Sequence, residues 1–115
     1  MPAPFMFFDL RTPDAAASRA FYGDLFGWTA TDGPAPMFTD GTAPWGGLTE
    51  LPPDDPRTPQ WVPYVAVGDL TAATARARDL GATVLRERVE IPQGAMSVIT
   101  DPAGATLVLW QDAPA

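Results

Sequence analysis

The chain has 115 residues, 46% of them hydrophobic, which is enough to bury a core as one domain without cross-links. It contains seven arginines, no lysine and fourteen carboxylates, and the net charge of −7 disfavours nucleic acid and anionic membranes as partners. The absence of cysteine and histidine excludes disulfides, thiolate nucleophiles and imidazole ligands, so any metal would need an all-oxygen site.

The first predicted element is a β-strand over residues 5–11, which alternate in character and are rich in aromatic side chains. One face of this strand is wholly apolar and is expected to pack on helices; it carries Met6, Phe8 and Leu10. The opposite face carries Phe5, Phe7, Asp9 and Arg11.

A capped helix is predicted next, over residues 15–26. Asp14 is suited to accept hydrogen bonds from the first-turn amides as the N-cap, and Gly27 is placed as the left-handed residue that ends the helix. Between them, residues spaced four apart form one apolar stripe of the kind that packs on a sheet. The stripe consists of Ala17, Phe21 and Leu25, flanked by Tyr22 and Phe26.

Three further strands complete the first half. They are predicted over residues 28–31, 37–39 and 45–51, and a turn at Asp40-Gly41 joins the last two. Residues 52–59 contain four prolines and are predicted to form an exposed, stiff connector.

The second half follows the same plan. A strand at residues 61–67 precedes a helix that Asp69 caps and Gly81 ends, and three strands follow at residues 83–90, 95–100 and 106–111. One side of this helix is apolar, with Leu70, Ala73, Ala77 and Leu80. The capping aspartate and the stop glycine recur at nearly the same spacing, which indicates an internal repeat. Each repeat reads β-α-β-β-β.

Short motifs recur in a fixed order along residues 5–111. They are Asp14, Phe21-Tyr22, Phe26-Gly27-Trp28, Trp45-Gly46-Gly47, the run Tyr64-Val65-Ala66-Val67-Gly68-Asp69, Leu80-Gly81 and Asp101-Pro102-Ala103-Gly104. In this order they resemble the vicinal oxygen chelate superfamily, which includes glyoxalase I, bleomycin-resistance proteins and extradiol dioxygenases. The resemblance implies an α+β fold in which two β-α-β-β-β modules form a curved mixed sheet around a cleft. Residues 1–115 are then one domain, with module one at 5–51, the proline-rich connector at 52–59 and module two at 60–111.

Metal-dependent members of that superfamily place their ligands on the first and last strands of each module. Counting from the capping aspartate and the turn aspartate of each repeat places the equivalent positions at Phe7, Gly47, Val62 and Val108. None of the four has a side-chain donor atom, and strand parity puts the nearby Glu50 on the face opposite Gly47. The expectation is therefore no metal and no cofactor, and no metal-dependent glyoxalase or dioxygenase activity.

If those positions mark the face of the cleft, strand parity adds further side chains to it, including Arg11 and Thr49. Aromatic rings on this face could stack on a flat or cationic compound. The candidate ligand-binding residues are Phe7, Asp9, Trp45, Gly47, Tyr64, Val108 and Trp110. The alternative is that the aromatic residues only fill the cleft or a dimer interface.

Asp9 is the charge of most interest, because it stands on a strand face that is otherwise largely aromatic. It could pair with a ligand cation or, with a raised pKa, act as a general base. The simpler alternative is an ion pair with Arg11, two residues along the same face. Glu50 and Glu90 are interpreted as solvated strand residues.

The prediction that follows is a metal-free small-molecule-binding protein of the glyoxalase/bleomycin-resistance type. Its ligand would be an aromatic or cationic compound, held for example to sequester a drug. The alternatives are a metal-independent isomerase or lyase with Asp9 as general base, and a structural or partner-binding domain whose cleft is filled by its own side chains. A homodimer is expected from the resemblance. No apolar run reaches about 20 residues and the N-terminus lacks a signal pattern, so a cytoplasmic location is expected.

Overall fold

A computed structural model describes residues 4–114, apart from the side chain of Met6. In chain order the elements are β1 (Phe5–Thr12), α1 (Ala15–Phe26), β2 (Thr29–Ala30), β3 (Met37–Thr39), β4 (Pro44–Glu50), β5 (Gln60–Ala66), α2 (Leu70–Asp79), β6 (Thr83–Ile91), β7 (Gly94–Thr100) and β8 (Thr106–Asp112). Within the described residues, neither helix has the length and apolar character needed to cross a membrane.

The elements divide between two compact units, residues 7–62 (the first unit) and residues 63–114 with residues 4–6 (the second unit). In the first unit the strand order is β2-β3-β4-β1, with β1 and β4 parallel and the other pairs antiparallel. In the second unit the order is β5-β8-β7-β6, with β5 and β8 parallel. The predicted α+β fold of two β-α-β-β-β modules with mixed sheet is confirmed.

Both helices begin at the capping aspartate that the sequence indicates, and α1 ends at the predicted glycine. Asp14 accepts a hydrogen bond from the amide of Ala17, and Asp69 accepts one from the amide of Ala72, each at 3.0 Å. Gly27 has a φ of 75°, in the left-handed region that favours glycine. These caps satisfy amides that would otherwise lack a partner in the helix.

The last strand of each unit is also bonded to the first turn of that unit's helix. Glu50 at the end of β4 accepts from the amide of Ala15 at 3.1 Å, and Gln111 on β8 accepts from the amide of Leu70 at 2.7 Å. Glu50 is exposed, as predicted, but it has this additional contact. The same tether in both repeats fixes each helix start to the sheet.

The face of α1 that packs on the sheet differs from the predicted stripe. Phe21 and Leu25 are each 58% exposed, and Ala17 is exposed as well, so the stripe points away from the core. Tyr22 instead makes the inward contact, together with Ala15. Both sides of this helix carry large apolar residues, so spacing alone could not identify the inner side.

In the first unit, Leu10, Phe38 and Leu48 are buried, and Phe38 is part of an aromatic cluster that packs on the two leucines. The cluster comprises Tyr22, Phe26, Trp28, Phe38, Trp45 and Trp61. Tyr22 stacks on Trp28 with ring centroids 5.3 Å apart, and its hydroxyl accepts from the indole N–H of Trp61 at 3.0 Å. This cluster supplies the contact between α1 and the sheet.

Trp45 belongs to this cluster, which corrects its predicted place on the face of Asp9 and Gly47. Its ring stacks on Phe38 with centroids 5.2 Å apart and 17° between the planes. The register explains the error: Phe38 lies opposite Gly46 and Thr39 opposite Pro44, so Trp45 is the extra residue of a β-bulge. A bulge interrupts the alternation of faces on which the prediction rested.

In the second unit, α2 covers a core of Leu70, Ala95, Ile99 and Leu109, with Ala73 and Ala77 packed against it. The hydroxyls of Thr74 and Ser97 are buried and lie 3.0 Å apart, so each satisfies the other. Leu80, predicted on the same apolar side, is 61% exposed. The helix ends at Asp79, and Leu80 as the C-cap no longer follows the helical direction.

The tether from β8 to α2 should stabilise the second unit measurably. Gln111→Ala is expected to lower the free energy of unfolding by about 1 kcal/mol, because the amide of Leu70 loses a side-chain acceptor. Urea unfolding followed by circular dichroism measures this. The matched control is Gln93→Ala in the exposed turn between β6 and β7, and equal effects of the two changes would contradict the assigned role.

Candidate functional site

Four residues meet on the face of the first unit opposite the aromatic cluster. In the parallel pair of β1 and β4, Asp9 lies opposite Gly47 and Arg11 lies opposite Thr49. Residues paired in register point to the same face, and Leu10 and Leu48 between them point to the core. The strand parity predicted for Asp9, Arg11, Gly47 and Thr49 therefore holds in the structure.

Asp9 is the centre of this group. It is 5% exposed, and both of its carboxylate oxygens accept from the Thr49 hydroxyl at 3.0 Å. Arg11 donates from Nε to Oδ2 at 3.2 Å. The ion pair with Arg11 that the sequence suggested is thus present, and Thr49 adds a second donor. A buried carboxylate is tolerated only where such partners offset the loss of hydration.

Gly47 makes room for this carboxylate. A Cβ atom at position 47 would overlap Oδ1 of Asp9 and would lie 3.5 Å from Cε1 of Phe7. The carboxylate of Asp9 therefore occupies the space that the Cβ atom of any other residue at position 47 would need. Phe7, Asp9 and Gly47, three of the predicted ligand-binding residues, are brought together within the first unit.

Burial raises the pKa of Asp9 above its usual value of 3.8, because loss of hydration penalises the charged form. The hydrogen bonds from Arg11 and Thr49 and the positive charge of Arg11 act in the opposite direction and offset only part of the rise. The environment thus holds a carboxylate that ionises less readily than an exposed one.

The equivalent face of the second unit is aromatic. Tyr64 lies opposite Val108 and Ala66 lies opposite Trp110 in the parallel pair of β5 and β8. The rings of Tyr64 and Trp110 have centroids 6.2 Å apart with 38° between their planes. The Tyr64 hydroxyl donates to the sulfur of Met96 at 3.8 Å. We call Tyr64, Met96, Val108 and Trp110 the aromatic face.

The aromatic face lies on the side of the second-unit sheet away from α2, since Ser97 and Leu109 between its members contact that helix or its core. Tyr64, Met96 and Trp110 are partly exposed, whereas Val108 is fully buried beneath them. Tyr64, Val108 and Trp110 were predicted together. Met96 was missed, although it stands opposite Trp110 in the register of β7 and β8.

The register shows how the two repeats differ. By the offsets of the repeat, Tyr64 and Val108 occupy the places of Asp9 and Gly47, and Ala66 and Trp110 those of Arg11 and Thr49. The same backbone pairing therefore carries a polar group in the first unit and an aromatic group in the second.

The four positions at which metal-dependent relatives bind their ion do not fit a metal. Phe7, Gly47, Val62 and Val108 offer a phenyl ring, a hydrogen and two isopropyl groups, and both valines are fully buried. Asp9, the carboxylate nearest to Gly47, is already bonded to Arg11 and Thr49. Among residues 4–114, no three acidic, histidine or cysteine residues cluster as a metal site would require.

Comparison with known proteins identifies the family. Residues 5–110 match the family model described as a glyoxalase-like domain. The chain belongs to this glyoxalase-like family. It is accordingly a member of the vicinal oxygen chelate superfamily, which confirms the resemblance seen in the sequence.

Two curated relatives are similar over most of this glyoxalase-like chain. CFP32 of Mycobacterium tuberculosis, a proposed glyoxylase, is 36% identical over 113 residues, covering 90% of this chain and 43% of CFP32. The anthracycline biosynthesis protein DnrV of Streptomyces peucetius is 33% identical over 130 residues, covering 96% of this chain and 47% of DnrV. The chain spans less than half the length of these relatives.

Solved structures show the same fold. The Mn(II)-bound glyoxalase of Novosphingobium aromaticivorans aligns with a TM-score of 0.66 and 20% identity, covering 95% of this chain and 38% of that one. The likeness at this identity concerns the fold alone.

The requirement for glycine at position 47 can be tested. Gly47→Ala is expected to lower the free energy of unfolding by about 1–3 kcal/mol, because the added methyl group displaces the Asp9 carboxylate from its donors. In the double variant with Asp9→Ala the two effects should be less than additive. The control is Gly68→Ala, where a Cβ would meet nothing within 4 Å. Additive effects in the double variant would contradict the overlap.

The raised pKa of Asp9 predicts a pH-dependent contribution to stability. Because the unfolded chain ionises Asp9 at a lower pH than the folded chain, stability is full below the unfolded pKa and is lost as pH rises through the folded pKa. The unfolding free energy of the wild type minus that of Asp9→Asn should therefore fall as pH rises above the usual aspartate pKa of 3.8 and through the raised pKa of the folded chain. Urea titrations at several pH values measure this difference, and a rise with pH would show that Arg11 dominates instead.

Proposed function

We propose that this glyoxalase-like chain is a metal-free binding protein for a small aromatic compound. The observation that carries the proposal is the aromatic face of the second unit, where two rings and a thioether are partly exposed on a sheet surface that α2 does not cover. Flat ligands stack on such rings, and methionine sulfur makes favourable contacts with aromatic groups.

The edge of the aromatic face also suits a positive charge. Asp112 accepts from the indole N–H of Trp110 at 2.8 Å and is exposed, so a carboxylate stands beside the ring. An aromatic ring with a neighbouring carboxylate favours a cationic group on the ligand. The net charge of −7 acts in the same direction over a longer range.

The similarity to DnrV supports a choice of probe. That protein is named for anthracycline biosynthesis, and anthracyclines combine a planar fused ring system with an amino sugar that is positively charged at neutral pH. We propose that a compound of this shape and charge is held without turnover, as a sequestering protein would hold a drug. Phe7, Asp9 and Gly47 of the first unit stay predicted ligand-binding residues, and the cytoplasmic location and homodimer stay predictions.

The aromatic face can be tested with the anthracycline daunorubicin. Isothermal titration calorimetry should show one-to-one binding, and Trp110→Ala should weaken it about tenfold or more through loss of the stacking surface. Trp110→Phe is the matched control, since it keeps a ring at this position and should retain most of the affinity. Unchanged affinity in Trp110→Ala would remove the aromatic face from the binding site.

The enzyme hypothesis has one observation in its favour, the raised pKa of Asp9, which a general base near neutrality needs. The samples used for calorimetry separate the two functions. A binding protein should return the probe unchanged by mass spectrometry after prolonged incubation. If the wild type forms product and Asp9→Asn does not, the protein is an isomerase or lyase and the proposed binding function is wrong. Failure to bind any aromatic compound would favour a purely structural domain.

A further inference from the structure

The guanidinium of Arg11 is hydrogen-bonded to Asp9 through Nε, and its two terminal nitrogens are not hydrogen-bonded within the described residues, 4–114. No buried side-chain nitrogen or oxygen in that part of the chain lacks a partner, so these nitrogens must reach solvent. The side chain is nevertheless only 13% exposed. A largely buried arginine therefore exposes its outer N–H groups to solvent.

We propose that Arg11 is a binding site for a neutral oxygen acceptor, a ketone or quinone carbonyl, on a small aromatic ligand. The site concerns residues of the first unit only and does not rest on the aromatic face of the second unit.

The charges of Asp9 and Arg11 together favour a neutral hydrogen-bond acceptor on the ligand. Arginine can only donate, so the ligand atom that meets it must accept a hydrogen bond. Asp9 balances the positive charge of Arg11 at a separation of 3.2 Å, so the pair offers little attraction to an anion. The acidic surface of the protein, with a net charge of −7, disfavours anions further. A carbonyl oxygen accepts without bringing a charge.

The pairing of Asp9 with Arg11 also disfavours a cationic ligand beside Arg11. Among residues 4–114, the carboxylate that pairs with Arg11 is that of Asp9, which is 5% exposed and bonded to Thr49 and Arg11. An ammonium group could reach it only by displacing Arg11 into solvent. A ligand cation must therefore be recognised elsewhere.

The surface next to Arg11 suits an aromatic ring. Phe7 is partly exposed on the same face, and its ring edge lies 3.5 Å from the position of a Cβ at Gly47. Gly47 itself adds no side chain to this surface. Phe7 and Arg11 are four residues apart on β1, about 13 Å along the strand, so a ligand whose carbonyl oxygen accepts from Arg11 would lie over Gly47 with its ring directed towards Phe7.

The experiment uses three probes with the same ring system: 1,4-naphthoquinone, 2-naphthoate and naphthylmethylammonium. The chain has no cysteine or lysine to react with the quinone. Arg11→Lys should weaken binding of the quinone about tenfold or more and leave the ammonium probe unchanged, because a single ammonium replaces the planar pair of donors. Infrared spectroscopy should show the carbonyl band of the bound quinone at lower frequency in the wild type, and that shift should be lost in Arg11→Lys.

A second variant guards against a loss of folding. Asp9→Asn/Arg11→Gln removes both charges together, so neither is left buried alone, and circular dichroism checks that it folds. It too should lose the shift of the carbonyl band. Equal affinity and an unchanged band in both variants would overturn the proposal, and so would absence of quinone binding to the wild type. The carbonyl band reports on Arg11, whereas the effect of Trp110→Ala on daunorubicin affinity reports on the aromatic face, so a failure of one proposal is distinguishable from a failure of the other.

Discussion

The carboxylate of Asp9 is the constraint on which the first unit depends. Three neighbouring residues must each have a particular character for this carboxylate to be buried: Gly47 must lack a side chain, Thr49 must donate, and Arg11 must balance the charge. All of them lie on one parallel strand pair, so the arrangement depends on the register of β1 and β4. A shift by one residue would turn Asp9 towards the apolar core.

Such an arrangement is poorly explained by stability alone. A buried ion pair often adds little compared with apolar residues of similar volume, whereas the loss of one partner typically costs about 3–5 kcal/mol. Burial also raises the pKa of Asp9, which shows that the ionised state is held at a cost. The arrangement does fix the orientation of Arg11 and keeps a side chain away from position 47. Both effects shape the surface around Asp9, and the proposed binding of a ligand would use that surface.

The sequence was sufficient to predict the β-α-β-β-β repeat, because caps such as Asp14 and Asp69 act locally and strand alternation is short-ranged. It was insufficient where a contact depends on distant residues. Tyr22, rather than Phe21, faces inwards because rings from two strands, β3 and β5, and the ring of Trp28 just after the helix surround it. Trp45 does not lie on its predicted face, because a bulge that depends on the pairing with β3 interrupts the alternation of faces. In the candidate site, the faces of Asp9 and Arg11 were predictable from parity, but the open end of Arg11 was not.

The internal repeat gives these observations a common basis. Corresponding register positions hold Asp9 and Arg11 in one unit and Tyr64 and Ala66 in the other, on the same parallel pairing. The backbone hydrogen bonds of the pair are satisfied in either case, so two different sets of side chains can occupy these positions on the same fold. A duplicated scaffold can thus present donors for an oxygen atom on one copy and a stacking surface on the other. The positions equivalent to the metal ligands of relatives carry no donor atom here, and each parallel strand pair is intact without one.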